Sequence, residues 1–487
     1  LWSPYYRLDQ EPLTYYLKDN SQISVPYELG TVINTNHIHH QRAMNFTPEM
    51  LSKHPELKTS NEYVTYGLPY HAVEHPKHVL ILGSGTGNDV SAAIRYGAEN
   101  IDAVEIDPVI LQIGKKIHPE KPYENPKVSI HQDDARAFLA KDAHKYDLIQ
   151  FGYLDSQTAL STMSSVRLDN YLYTKESLQA ATAHLAPDGV ACLSFATQLD
   201  WMRARLYQLV KAVWPGGEPL AIDTHYGSPR ALMLMWGPGL DAVRDKITAS
   251  YPNLIATPQE LTAMRVPVEI STDDWPFLYQ HSRDIPVISL VILAFVVIMS
   301  TIVVTSRFRL RPKTFAGNLQ FFLLGAGFLL METRAMLSIA ILFSSTWIVN
   351  SIVIALVLLM ALFSTWFVMK TRFLTQTQAY VLLFVALVVM FAVPIGSLVA
   401  YPIAVKLLVA CLVLGAPFFC SGVVFARAFA QTRSPEIALG VNILGSILGG
   451  CIEYLSVVIG INGLTLLALG VYLLSMAAGK LVKVEEE

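Results

Sequence analysis

Lys77-His-Val-Leu-Ile-Leu-Gly83-Ser-Gly-Thr-Gly87-Asn-Asp89 opens with a short apolar run, His78–Leu82, and breaks into three glycines within five residues. A strand that runs into a glycine turn and then a helix, here through Arg95, begins a parallel strand–helix unit. Glycines at such a turn let the backbone approach a ligand, and the helix N-terminus offers free N–H groups. The alternation then repeats. Ile101–Val104, Val128–His131, Asp147–Phe151 and Val190–Phe195 read as further strands. The pattern predicts a doubly wound α/β module of Rossmann type over residues 76–245.

The strand ends carry acids where a nucleoside needs them. Glu105 stands 22 residues past Gly83, in Glu105-Ile-Asp107, and suits the two hydroxyls of a ribose. The third strand ends in Gln132-Asp-Asp134-Ala-Arg136, the place for contacts to an adenine. Gly83, Gly85, Gly87, Glu105 and Asp134 together predict an adenosyl pocket.

Upstream, residues 1–75 hold short alternating segments such as Leu13–Lys18, Gln22–Val25 and Thr31–Asn34, which read as small β-hairpins. In Asn36-His-Ile-His-His40, strand alternation puts His37 and His39 on one face. No Cys or carboxylate stands at ligand spacing from them, so no metal is expected. Downstream, residues 246–284 read as a linker.

Beyond Asp284 the chain changes character. The whole has 487 residues, 52% hydrophobic and 15% charged, with a mean hydropathy of +0.39. Up to Asp284, 24 Lys/Arg face 33 Asp/Glu, a net −9; from Ile285, 12 Lys/Arg face 6 Asp/Glu, a net +6. Ile285–Ser306 is uncharged and long enough to cross a ~30 Å hydrocarbon core. Six more apolar runs follow: Asn318–Leu342, Trp347–Met369, Gln378–Val399, Ile403–Ala426, Glu436–Val458 and Leu464–Ala478. Residues 285–487 are therefore predicted to be an all-α bundle of about seven transmembrane helices, with the lipid bilayer as partner. No basic stripe or nucleic-acid motif occurs, so no nucleic-acid partner is expected.

Loop charge sets an expected orientation. Arg307, Arg309, Arg311 and Lys313, then Lys370 and Arg372, Arg427 and Arg433, and Lys480 and Lys483 fall on one side; Lys406 and Arg283 fall on the other. The positive-inside rule places the first group in the cytoplasm and the soluble module on the extracytoplasmic side. That orientation calls for an upstream span, which a chain beginning at Leu1 accommodates. Glu332, Arg334 and Glu453, with Asn350 and Asn442, lie at membrane depth and should face the bundle interior. Arg334 with Glu453 makes a plausible interhelical pair, structural or part of a polar path. Gly445-Ser-Ile-Leu-Gly449 permits close helix contact.

Val79-Leu-Ile-Leu-Gly-Ser-Gly-Thr-Gly87, Val104-Glu-Ile-Asp107, Asp134 and Ala186-Pro-Asp-Gly189 resemble the spermidine synthase (aminopropyltransferase) family. Ser3-Pro-Tyr-Tyr6 resembles that family's N-terminal β module. Leu154-Asp-Ser156, Asn170-Tyr-Leu-Tyr-Thr174, Asp273-Asp-Trp-Pro-Phe277 and the multi-span tail resemble bacterial membrane-integral members, some with further spans upstream. The resemblance implies a class I methyltransferase-like fold, S-adenosylmethionine or decarboxylated S-adenosylmethionine as ligand, and a place in the bacterial plasma membrane. Ile81, where class I methyltransferases usually carry an acid, favours the aminopropyl branch.

One departure bears on chemistry. The resemblance implies Asp-x-x-Asp after the fourth strand, the first Asp taking a proton from the attacking amine. This chain reads Phe151-Gly-Tyr-Leu-Asp155, so Gly152 holds the base position and only Asp155 remains. Loss of such a base costs ~10²–10⁴-fold. Two readings follow: group transfer to an acceptor other than putrescine, with Asp155 orienting the nucleophile, or a catalytically degenerate nucleotide fold serving as a subunit of a larger membrane complex. Tyr153, His225 and Tyr226 fit the acceptor side, or ordinary packing. A transporter would show an inverted repeat or broken-helix pair, and none is evident.

Overall fold

The computed structural model describes residues 1–486 except 14, 17–21, 24–28, 155–169, 198, 226–229, 263–267, 309–311, 344–346 and 372. It forms two compact units, Leu1–His281 and Ser282–Glu487.

The first unit begins with an antiparallel sheet of β1 (Leu8–Pro12), β2 (Gly30–Thr35) and β3 (Ile38–Met44). Asn36 and His37 make the β2–β3 turn with φ of 49° and 67°. His37 therefore sits in a turn, and the expected strand alternation with His39 does not arise. Residues 48–72, read as hairpins, are largely helical. Thr47 caps α1 (Pro48–Lys53) and Ser60 caps α2 (Asn61–Ala72), each through its side-chain oxygen. A hydroxyl that accepts a free first-turn N–H, with a proline at the start of α1, outweighs weak alternation.

The main sheet contains the five expected strands: β4 (His78–Leu82), β5 (Asn100–Val104), β6 (Val128–His131), β7 (Tyr146–Phe151) and β8 (Leu185–Ala196). Three more follow, β9 (Leu220–His225), β10 (Arg230–Trp236) and β11 (Ile255–Ala256). Their order is β11-β9-β10-β8-β7-β4-β5-β6, with β10 antiparallel to both neighbours. Val79 to Leu82 are fully buried, as a strand covered by helices on both faces must be. The order reverses between β4 and β7, which opens a crevice at their carboxyl ends.

Helices α3 (Asn88–Arg95), α4 (Pro108–Ile117) and α5 (Ala135–Lys141) follow β4, β5 and β6. Asp107 caps α4 and Asp134 caps α5, each side chain accepting two backbone N–H groups. Part of the stretch read as a linker closes this unit. Asp273 receives both terminal nitrogens of Arg136 at 2.8 and 2.7 Å and the Thr174 hydroxyl at 2.8 Å. Asn170 donates to the Pro276 carbonyl at 2.5 Å, and Trp275 and Phe277 are buried. The Asn170–Thr174 and Asp273–Phe277 motifs thus hold each other.

The second unit is all helical. Among the described residues, six helices are long and apolar enough to cross a membrane: Val287–Phe308, Leu319–Phe343, Ser351–Lys370, Ile403–Phe429, Pro435–Ile459 and Ile461–Leu481. Gln376–Ala392 is a shorter apolar helix. Val287 and Phe295 are 75% and 63% exposed, an apolar face that fits lipid rather than water. Arg334 is buried and donates to Ser338 and, at 2.7 Å, to Asn462, while Glu453 accepts from Thr333 at 3.4 Å. Each charge of the expected Arg334–Glu453 pair thus has a polar partner of its own. Glu332 is half-buried, and the Asn442 amide donates to the Phe321 carbonyl at 2.9 Å. The Asn350 side chain lies outside the described residues.

Candidate active site

A cleft of about 960 Å³, counting its open mouth, lies at the sheet's switch point. Its floor is the glycine turn. Gly83, Gly85 and Gly87 have φ of 73°, 55° and 112°, a left-handed path that only glycine follows without strain. The Gly83 and Ser84 N–H groups donate to the Val104 carbonyl, both at 2.9 Å, which ties the turn to β5. Gln41 of β3 reaches across and accepts from the Thr86 N–H at 2.9 Å and hydroxyl at 3.0 Å. The Tyr123 hydroxyl closes the far side, donating to the Gly85 carbonyl at 2.7 Å. Gly83 and Gly85 line the cleft; Gly87 does not. A Cβ on Gly87 would meet Pro122 and Tyr123 side chains at 2.6 and 3.2 Å, so that glycine serves packing.

The lining holds four carboxyls, Asp89, Glu105, Asp133 and Asp134, and no lysine or arginine among the described residues. Glu105 accepts from the Gly85 N–H at 2.8 Å and the Asp107 N–H at 2.9 Å. Burial pushes its pKa up to about 7, against the pull of those two N–H groups. A carboxylate has about four acceptor sites, so capacity for a ligand hydroxyl remains beyond the N–H groups of Gly85, Asp107 and Ile106. Asp134 accepts from the Arg136 and Ala137 N–H groups at 2.9 and 3.0 Å, and burial raises its pKa too. From the N-terminal segment, Tyr6 lines the cleft. His40 also lines it; burial, and then His39, lower its pKa to about 4, so it stands neutral.

Gly152 follows β7 directly beside the glycine turn, its N–H donating to the Leu82 carbonyl at 3.2 Å. Asp155, Tyr226 and the His225 side chain lie outside the described residues. Tyr153 lines the cleft, with its hydroxyl 3.5 Å from that of Thr224. Sequence reasoning missed Gln41, Tyr123, His40 and Asp89 as part of the site. Only Asp89 had a local signal, as an acid in the first turn after the glycines.

Residues 59–210 match the model of the spermine/spermidine synthase domain. Over this segment the chain is similar to a spermine/spermidine synthase domain. Putrescine N-methyltransferase 2 of Nicotiana attenuata is 32% identical over 129 residues, covering 26% of this chain and 32% of the relative. Spermidine synthase 1 of Datura stramonium is 30% identical over 135 residues, 27% of this chain and 41% of the relative. The chain thus spans about a third to two-fifths of the length of these two curated relatives. Among solved structures, spermidine synthase from Thermotoga maritima aligns with a TM-score of 0.38 and 17% identity over 53% of this chain and 90% of that one. Human methyltransferase-like protein 13 in complex with SAH aligns at 0.31 and 18%, over 43% and 95%.

The matched segment carries Gly83, Gly85, Glu105 and Asp134, which line the cleft, and Gly152 beside the glycine turn. A Cβ on Gly85 would lie 2.5 Å from the Gln41 amide oxygen, so the turn has no room for a side chain. With a buried carboxylate at the second strand end, these features fit a nucleoside bearing positive charge.

Proposed function

We propose that residues 1–281 bind an S-adenosyl sulfonium donor in this cleft and transfer its aminopropyl or methyl group to an amine other than putrescine. The observation that carries the reading is the lining: four carboxyls beyond the ends of β4, β5 and β6 and, among the described residues, no lysine or arginine. A site of that sign favours two cations, a sulfonium and an amine. The relatives' names, putrescine N-methyltransferase and spermidine synthase, support either group as cargo. Glu105 would hold the ribose, Gly83 and Gly85 would flank the donor's side chain, and Asp134 would stand near the base. Asp155 would orient the acceptor.

Calorimetry of the full chain in detergent with S-adenosylmethionine, decarboxylated S-adenosylmethionine and methylthioadenosine tests the reading. Binding of at least one is expected. Binding of none would leave the second reading, a catalytically silent subunit, which Gly152 favours. Putrescine is expected to give no appreciable spermidine with the decarboxylated donor. Between Phe151 and Tyr171 only Asp155 and Asp169 are acidic and Gly152 has no side chain, so this stretch offers one carboxyl fewer than Asp-x-x-Asp to hold the two ammonium ends of the diamine. Robust spermidine formation, lost in Asp155→Asn, would refute that restriction.

The apolar helices of the second unit support insertion in a membrane, which we take to be a bacterial plasma membrane. Loop charge favours residues 1–281 on its outer side. Protease added to intact spheroplasts is then expected to remove them and spare Lys313. Protection of residues 1–281 would place the cleft in the cytoplasm.

A further inference from the structure

Gly152 leaves a vacancy at the end of β7, and another side chain points at it. A Cβ built on Gly152 would lie 3.2 Å from Oδ2 of Asp89, 3.1 Å from the Gly83 carbonyl and 3.7 Å from the Leu82 carbonyl. Asp89 belongs to the first turn of α3, lines the cleft and is 8% exposed. Its Oδ1 accepts from the Gln150 amide, and Gln150 in turn accepts from the Tyr70 hydroxyl at 3.3 Å. That relay and the Asp89 backbone N–H hold the carboxyl, with Oδ2 beside the Gly152 position.

The remaining carboxyls of the cleft have other commitments. Glu105 holds the N–H groups of Gly85 and Asp107, and Asp134 caps α5. Asp133 accepts from the Asp134 N–H at 3.0 Å and pairs with Lys141 at 2.7 Å. Asp89 is the carboxyl of the four that accepts from a side-chain amide on β7, the strand that ends at Gly152.

We propose that Asp89 takes the proton of the attacking amine, supplying from the helix after the glycine turn the carboxyl that Gly152 lacks. The assignment rests on the transfer reading above. In the step, the amine lone pair forms a nitrogen–carbon bond at the carbon beside the sulfonium. The carbon–sulfur bond breaks and its pair stays on sulfur, which leaves as a neutral thioether. The N–H proton passes to Asp89 and from there to water. Burial brings the Asp89 pKa up to about 7, close to the range in which a general base works best.

The test uses the full chain in detergent, S-adenosylmethionine and decarboxylated S-adenosylmethionine as donors, and a panel of straight-chain mono- and diamines, with products read by mass spectrometry. Asp89→Asn is expected to slow transfer by about 10²–10⁴-fold, with methylthioadenosine affinity within about twofold of the parent. Gly152→Asp in the Asp89→Asn background is expected to recover at least about tenfold, because it restores a carboxyl to the same space. Transfer that survives Asp89→Asn would overturn the assignment alone. So would a double variant no faster than the single one, or a loss of methylthioadenosine binding that matches the loss of transfer. Absence of transfer by the unmodified chain while methylthioadenosine binds would overturn the transfer reading and this assignment with it.

Discussion

Glu105→Ala is expected to weaken methylthioadenosine binding by about 3 kcal/mol, more than a hundredfold, since each hydrogen bond to a charged acceptor contributes about 1.5–3 kcal/mol. The carboxylate sits at the end of β5 with one N–H bond on each oxygen, from Gly85 and from Asp107. Those bonds aim it across the glycine turn, and its free lone pairs match the paired hydroxyls of a ribose. Removing the side chain also takes the acceptor from the Gly85 N–H of the turn and from the Asp107 N–H. Glu105→Gln keeps the shape and one acceptor, so it should lose less. An unchanged dissociation constant in Glu105→Ala would mean that no nucleoside occupies this turn.

The same residue gives the binding a pH signature. Burial holds the Glu105 pKa at about 7 in the free protein. The ionised form is the better acceptor, so nucleoside affinity should rise as pH climbs towards that value and level off above it. Between pH 6 and 7 the gain should be about fivefold, and between pH 7 and 8 less than about twofold. Asp107, Tyr6 and Asp134 share the neighbourhood, so the control is Glu105→Gln, in which the slope should vanish. A slope that persists there belongs to another group.

The strands legible from sequence are those whose burial leaves a local mark. His78–Leu82 is apolar at four successive positions because β4 lies in the middle of the sheet, covered on both faces. Glu105 and Asp134 were legible as acids beyond strand ends, and the structure sets both on the cleft, because parallel strands end on the side where the cleft opens. The helices of residues 48–72 were missed because two short capped turns carry little periodicity; Thr47 and Ser60 were the available cues. Gln41 gave no cue at all, since its bond to Thr86 joins separate sheets. Asp89 was visible as a first-turn acid, a residue that complements the helix dipole in any helix. Its meaning comes from sheet order, which sets β7 beside β4 and brings Gly152 against it.

The membrane unit offers a prediction of comparable size. Gly445→Leu is expected to destabilise the helix pair Leu319–Phe343 and Pro435–Ile452 by about 3–5 kcal/mol, above the usual cost of overpacking because the obstacle is backbone. A Cβ on Gly445 would fall 1.8 Å from the Phe322 carbonyl oxygen; one on Gly325 would fall 2.1 Å from that of Asn442 and one on Gly449 2.5 Å from that of Ala326. The helices therefore meet main chain to main chain, which is how small residues drive association where lipid removes the hydrophobic advantage. Forcing them apart also stretches the bond from Asn442 to the Phe321 carbonyl. Gly470→Leu supplies the control, since a Cβ at Gly470 meets nothing within 4 Å. It should stay within about 0.5 kcal/mol of the parent in an SDS-denaturation series on the full chain in micelles. Equal midpoints for the two variants would show that the glycine contact between these helices is not close.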